Sequence, residues 1–327
     1  MTPLAVTLGD PAGIGSEIVF AALASLDLPV WVFGDRAYAE AAVGSDALVP
    51  YERIDVSEAA NRGGLARAFV DVAISQSAPL TPGVVDARCG AVSLASIEAA
   101  VAAVERGDCS ALVTAPIHKQ AIRAAGSEGT GHTEILAKRA GLTRYGWDHA
   151  MYFDSPRLRI VLLSVHLPLQ EAIASITADR IAALAVLTAS SLARLAGRRP
   201  SIAVAGLNPH AGEGGLFGVE EETIARGVAL ARERGVTVTG PHAADTLFHE
   251  ACEGRHDVVM AMYHDQGLIP IKTIAFDESV NVTLGLPYLR VSVDHGTAFD
   301  IAGKQMANAR PMRHAIEWAW RHVGQRQ

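Results

Sequence analysis

Two hydrophobic rhythms alternate along this chain. Short apolar runs, Pro3 to Leu8, Val30 to Gly34, Ala111 to Thr114, Arg159 to Val165, Ile202 to Leu207 and Val258 to Met262, have the length and composition of strands buried on both faces. Between them lie stretches with apolar residues at helical spacing: Ile18 to Leu26, Gly90 to Arg106, Ile135 to Ala140, Asp179 to Leu195, Glu220 to Arg234, and Pro311 to Val323 with proline at its start. Strand followed by helix, repeated, predicts an α/β fold on a mainly parallel sheet. Residues 45 to 90 break the rhythm and read as an irregular connection with one weak helix near Gly64 to Ile74. No solenoid period and no low-complexity linker interrupts the pattern.

The chemistry concentrates where the apolar runs stop. Arg159 to Val165 ends at His166, Ile202 to Leu207 ends at Asn208-Pro209-His210, and Val258 to Met262 ends at Tyr263-His264-Asp265-Gln266-Gly267. In parallel α/β sheets the carboxyl ends of strands carry the ligand groups, because loops open there and the next helix begins. A lone strand-end histidine is usually a satisfied polar residue. Several at one sheet edge suit a divalent metal, for which neutral imidazoles are common ligands. His118, after the strand ending at Thr114, fits the same figure, so spacing leaves four candidates for three places. Beyond His264 come Lys272, Asn281 and Arg290, a cation, an amide and a second cation suited to an anionic, oxygen-rich small molecule. Asp245, before a helical turn, reads as a cap or a site carboxylate. His132 and Thr133 stand where a helix starts, either an ordinary cap or a phosphate site. The turn Gly9-Asp10-Pro11-Ala12-Gly13-Ile14-Gly15 is a tight strand-to-helix turn or an anion cradle. It is no dinucleotide fingerprint, because it lacks the third glycine and a well-placed acidic residue after a second strand.

Composition narrows the class. At 327 residues the chain predicts two domains by the usual domain size. Half the residues are hydrophobic, yet no continuous apolar run reaches membrane-span length and the N-terminus has no basic stretch before an apolar one, which predicts a soluble, cytoplasmic protein without membrane partners. The net charge of −7 without basic blocks argues against nucleic acid. Cys89, Cys109 and Cys252 have neither disulfide nor metal-site spacing and are expected as reduced, mostly buried thiols. Only 4 of the 28 basic residues are lysines, which makes Lys272 more informative.

Taken together, Gly9 to Gly15, Thr114-Ala115-Pro116-Ile117-His118-Lys119, Gly131-His132-Thr133-Glu134, Asn208 to Glu213, Ala244-Asp245-Thr246 and Tyr263 to Gly267 resemble the 4-hydroxythreonine-4-phosphate dehydrogenase family of pyridoxal phosphate biosynthesis. Six ordered blocks cover nearly the whole chain. The resemblance implies a fold like the isocitrate and isopropylmalate dehydrogenases: two α/β/α domains, approximately residues 1–130 with 285–327 and residues 131–284, forming one catalytic unit. It further implies a homodimer whose active site lies in the interdomain cleft and is completed by the partner subunit. The family's metal histidines fall on His166, His210 and His264, which selects against His118, and its substrate contacts fall on His132, Thr133, Lys272, Asn281 and Arg290. The implied cofactors are NAD or NADP and one divalent metal, zinc, magnesium, cobalt or manganese; residues binding the nicotinamide cofactor are not assigned. Asp245, Asp265 and Lys272 are the candidate proton acceptors. Paralogues acting on four-carbon sugar-acid phosphates or cyclic dihydrodiol carboxylates are the alternative. Ser16 stands where proline is expected, and serine is expected to cap the helix instead.

Overall fold

The computed structural model describes residues 2–59, 64–74, 79–129 and 131–323. The chain divides into two compact units, Met1–Leu136 with Pro287–Gly324, and Ala137–Leu286. The first is built on β1 (Leu4–Thr7), β2 (Val30–Gly34), β3 (Glu52–Asp55), β4 (Arg67–Asp71), β5 (Leu112–Thr114) and, after the chain returns, a strand at Arg290–Val293. Their order is β3-β4-β2-β1-β5 and then the returning strand, with every neighbouring pair parallel. β1, β2 and β5 are buried along their whole length, as their unbroken apolar runs require.

Residues 45–90 are not an irregular connection. They hold two parallel strands, and the weak helix expected near Gly64 to Ile74 is β4, paired residue for residue with β2 from Val30↔Arg67 to Gly34↔Asp71. The local sequence Leu65-Ala66-Arg67-Ala68 favours helix, but Ala68, Phe69 and Val70 are fully buried between strands. Sheet pairing overrides a weak propensity.

The helix Ala87–Arg106 is long and apolar enough to cross a membrane by length and composition. This narrows the expectation drawn from continuous apolar runs. Its inward face, including Val92, Ile97, Ala100, Val101 and Val104, is buried in the unit, and Ser93 Oγ lies 3.2 Å from the carbonyl of Gly9, so it is a core helix.

The glycine-rich turn is tight by necessity. A Cβ at Gly9, where φ is +70°, would stand 2.1 Å from the Pro116 carbonyl oxygen, and one at Gly15 would stand 1.9 Å from that of Leu8. Asp10 and Glu17, both buried, put acidic side chains around the following helix start, which does not suit an anion. Ser16 does not cap that helix: the cap position is Ile14, with no side-chain cap bond, and Ser16 is buried inside the helix.

The second unit is built on β6 (Ala150–Asp154), β7 (Arg159–Leu162), β8 (Ile202–Ala205), β9 (Val238–His242), β10 (Val258–Ala261) and β11 (Val280–Leu284), in the order β11-β6-β7-β10-β8-β9; the Arg290–Val293 strand of the first unit is β12. β7, β10, β8 and β9 run parallel, while β6 is antiparallel to both β7 and β11. The three apolar runs that end in histidines are therefore central neighbours, β7-β10-β8, all pointing the same way.

Asp257 ties the starts of β8 and β10. It accepts from Arg198 Nη2 at 2.6 Å and Nη1 at 3.0 Å and from the Ser201 amide at 2.8 Å. The Arg198 hydrogen bond, above all, holds its carboxyl well below the usual range. Stability from a depressed carboxyl is present above the unfolded value of about 3.9 and is lost as pH falls toward the folded one. Because Arg198 is largely exposed, Asp257→Asn is expected to cost about 1–2 kcal/mol at neutral pH, roughly 2–8 °C in Tm. Calorimetry should show that deficit shrinking below about pH 4; an equal deficit at pH 7 and pH 3 would mean that the charge is not what stabilises the junction.

Candidate active site

His166 lies just past β7, His210 just past β8, and His264 opens the helix His264–Ala275 directly after β10. Side chains stitch these strand ends together. Ser164 Oγ donates to the Met262 carbonyl at 2.9 Å, joining β7 to β10. Gln266 accepts from the Met262 amide through Oε1 at 2.7 Å and donates through Nε2 to the Gly206 carbonyl at 2.8 Å, joining β10 to β8. Gln266 escaped the sequence reading, although its amide, both donor and acceptor, directly follows a strand-end histidine.

His166 and His264 line one cavity of about 260 Å³ with Ser164, Leu169, Tyr263 and Asp265. Their ring centroids are 5.7 Å apart. His264 Nδ1 is 2.7 Å from Asp265 Oδ1. With that carboxylate ionised, Nδ1 carries the proton and the Nε2 lone pair is left for a metal, the usual carboxylate–histidine arrangement around metal ligands. His210 Nδ1 stands 3.9 Å from Asp245 Oδ2, too long for a hydrogen bond but near enough for attraction. Asp245 is not the helix cap; it lies in the first turn of Ala244–Cys252, whose cap position is Ala243. Among the described residues no three His, Cys, Asp or Glu side chains stand close enough to hold a metal. The structure thus pairs His166 with His264 and His210 with Asp245, and it does not close the three histidines on one point. The donor chemistry, strand-end imidazoles with Asp265 hydrogen-bonded to one of them and Asp245 near another, fits a divalent ion. His118 belongs to the first unit, where its ring stacks on Phe299 at 4.5 Å.

The segment carrying His210 has an unusual backbone. Five successive residues, His210, Ala211, Gly212, Glu213 and Gly214, have φ of 53°, 51°, 79°, 42° and 67°, a left-handed turn in which three members are not glycine. Each non-glycine residue there costs on the order of 1–2 kcal/mol, so the surroundings must hold it. Glu221, buried in the first turn of the helix Glu220–Glu233, accepts from the Leu207 amide at 2.9 Å, the Asn208 amide at 2.7 Å and Asn208 Nδ2 at 2.9 Å. Burial alone would raise its carboxyl, but the Asn208 and Leu207 donors outweigh that and hold it below its ordinary value.

Of the expected substrate contacts, the first unit holds three. His132 and Thr133 form the first turn of the helix His132–Arg139. Thr133 is buried, and His132 Nε2 lies out of solvent with no hydrogen-bond partner among the described residues. Burial, with the Arg290 guanidinium adding to it, drives the His132 pKa well below its ordinary value, so the imidazole is neutral. Arg290, 2% exposed on β12, donates from Nη2 to Thr114 Oγ1 on β5 at 2.8 Å. Burial lowers its pKa to about 10, against the opposing pull of Tyr288 and Glu134, and it stays cationic at neutral pH. A buried guanidinium beside a helix start can receive an anionic oxygen-rich group.

The second unit holds the other two. Asn281 lies on β11 opposite Phe153, and its Oδ1 is buried with no hydrogen-bond partner among the described residues. Lys272 follows Asp265 by two turns on the same helix face, about 10 Å along the axis.

Residues 26–319 match the family described as pyridoxal phosphate biosynthetic protein PdxA. The 4-hydroxythreonine-4-phosphate dehydrogenase of Bradyrhizobium diazoefficiens is 43% identical over 98% of this chain and 96% of its own. The D-threonate 4-phosphate dehydrogenase of Salmonella typhimurium is 39% identical over 97% of each. A crystal structure of 4-hydroxythreonine-4-phosphate dehydrogenase from Klebsiella pneumoniae superposes with a TM-score of 0.86 at 39% identity, covering 99% of this chain and 100% of that one.

Proposed function

The chain belongs to the family described as pyridoxal phosphate biosynthetic protein PdxA, and from that premise we propose that it is an oxidoreductase, the NAD(P)-dependent 4-hydroxythreonine-4-phosphate dehydrogenase of a cytoplasmic pathway to pyridoxine 5'-phosphate. The reaction oxidises 4-(phosphooxy)-L-threonine at C3 to 2-amino-3-oxo-4-(phosphooxy)butanoate, a β-keto acid that loses carbon dioxide to give 3-amino-1-hydroxyacetone 1-phosphate. The observation that carries this reading is the pair of strand-end imidazoles, His166 and His264, in one cavity with Asp265 on His264 Nδ1; in the first unit, His132 with buried Thr133 and Arg290 supports the phosphate part of the reading.

His166, His210 and His264 are the ligands of one divalent metal, zinc, magnesium, cobalt or manganese. When bound, the ion supplies Lewis-acid polarisation of the substrate hydroxyl, and the nicotinamide cofactor accepts hydride. Asp265 fixes the tautomer of His264, and Asp245 attracts the His210 ring. Those roles leave Lys272 as the first proton acceptor to test. Neutral His132, Thr133 and the helix start bind the phosphate, while Arg290, Lys272 and Asn281 take the remaining anionic and hydroxyl oxygens. The glycine-rich turn at Gly9 does not suit a dinucleotide, so no residue is assigned to the cofactor.

A homodimer is part of the reading. The loops carrying His166 and His210 and the helix carrying His264 expose Leu167 and Leu169, Leu216, Phe217 and Val219, and Ile269 and Phe276. So many large apolar side chains beside one site are better covered by a second copy than left in water.

The test is the purified protein with NAD or NADP, a divalent metal and 4-phosphohydroxythreonine, watched at the NADH absorbance, with solution mass measured in parallel. Turnover is expected from a species twice the 34.4 kDa chain. Turnover on D-threonate 4-phosphate but not on the amino acid would move the protein to the second relative's reaction.

A further inference from the structure

We propose that Glu221 is a positioning residue for the metal site, acting through the left-handed turn that carries His210. This rests on the reading of His210 as a metal ligand given above. Glu221 touches no candidate ligand. Its carboxylate instead grips the two residues before the Pro209–Gly215 turn: Oε1 takes the amides of Leu207 and Asn208, and Oε2 takes Asn208 Nδ2. Asn208 Nδ2 also donates to Glu220 Oε2 at 2.8 Å.

The turn is packed against this clamp. A Cβ at Gly212 would come within 2.9 Å of Glu221 Oε2, and one at Gly206 within 3.1 Å of Ala211 Cα. At the far side, a Cβ at Gly218 would meet Asn208 Nδ2 at 2.4 Å. Within the turn, Ala211 N donates to Asn208 O at 3.1 Å and Phe217 N to Gly212 O at 3.1 Å. These local bonds close the loop on itself but do not fix where it stands above β8. Glu221 does, because its helix is anchored in the unit by buried Ile224, Val228 and Ala231. His210 is largely exposed and stands 3.9 Å from its Asp245 neighbour, so its own side-chain contacts hold it weakly. The direction of its ring is set by backbone conformation, and that conformation is disfavoured unless it is held.

The choice of glutamate has a chemical reason. Four hydrogen bonds arrive at two residues, and every donor in contact with Glu221 is an N–H. Glutamine would present its own NH₂ toward Asn208 Nδ2 or toward an amide, donor against donor. The expected loss is one clamp bond and not the packing.

The experiment uses the full-length Glu221→Gln and Gly212→Ala proteins, hydrogen exchange of the 207–218 segment, and Zn²⁺ and Mn²⁺ affinity from chelator competition. Glu221→Gln should speed exchange at Leu207 and Asn208 and weaken metal binding about ten- to a hundred-fold, the usual range for groups that orient ligands. Gly212→Ala, which keeps the carboxylate but crowds it, should weaken metal binding in the same direction. The pH profile of the residual activity should keep its shape, since no proton-transfer group has changed. Unchanged exchange in Glu221→Gln overturns the clamp. Faster exchange with unchanged metal affinity overturns its link to His210. A wild-type protein that binds neither ion while the clamp signal is present would overturn the metal reading itself, and with it this role for Glu221.

Discussion

Replacing His264 by alanine is expected to remove bound metal and dehydrogenase activity together while leaving the fold intact. The ring is half-exposed and its packing is slight, so circular dichroism and Tm should change little. Metal content, however, should fall by more than the ~10- to 100-fold seen when only an orienting group is lost. His166→Ala and His210→Ala should do the same, whereas His118→Ala, in the other unit and stacked on Phe299, should keep its metal. Element analysis of the purified proteins decides it. Full metal content in His210→Ala would break the triad, and loss confined to His118→Ala would show that the wrong histidine was chosen. Mixing His210→Ala with His166→Ala subunits adds a further reading, because His166 and His264 share one cavity and His210 stands apart from them. Partial recovery after subunit exchange is expected if each metal draws His210 from one chain and the other two from its partner.

The second large effect concerns the phosphate. On the intact enzyme, hydroxythreonine without its phosphate should show kcat/KM lower by about two to four orders of magnitude than the phosphorylated substrate, since several charge-assisted hydrogen bonds of roughly 1.5–3 kcal/mol each are lost. His132→Ala or Thr133→Ala should erase part of that gap by weakening only the phosphorylated substrate, at about ten- to a hundred-fold in kcat/KM, with NAD affinity unchanged. Arg290→Ala is buried and bonded to Thr114, so a stability loss is expected beside the kinetic one. Thr114→Val separates the two, because it frees the guanidinium from one anchor without removing it. Equal kcat/KM for the two substrates would take the phosphate out of the reading and favour the diol-type dehydrogenases.

Much of this was legible in the residues. Unbroken apolar runs with histidines at their ends are a local signal. A strand buried on both faces has no polar position to spare, so the first polar residue past its end marks where the backbone leaves the core. The β7, β8 and β10 histidines were visible for that reason, and so was the α/β alternation. The six motif blocks carried the family, through their order along the chain and not through any one of them. The thiols were legible too: all three are free, and burial, chiefly, pushes Cys89 up to about 12 and keeps it protonated.

Other features depended on partners far along the chain. β4 has a helix-leaning local sequence and becomes a strand only because β2 and β3 flank it. The antiparallel placement of β6 between β7 and β11 left no trace in hydrophobic spacing, because a buried strand looks the same in either direction. Ser16 looked like a cap, yet the helix had already begun around it. Sequence alone determined which residue types stand at strand ends: three histidines, one of them followed directly by a carboxylate at Asp265, and a set of cations and amides for an anionic substrate. Tertiary structure decided which of them meet. It paired His166 with His264, left His210 on a left-handed turn held by Glu221, and buried Arg290 against Thr114. Hydrophobic periodicity is a property of neighbours in the chain, whereas the direction of a side chain past a strand end depends on hydrogen bonds from residues that no local pattern identifies.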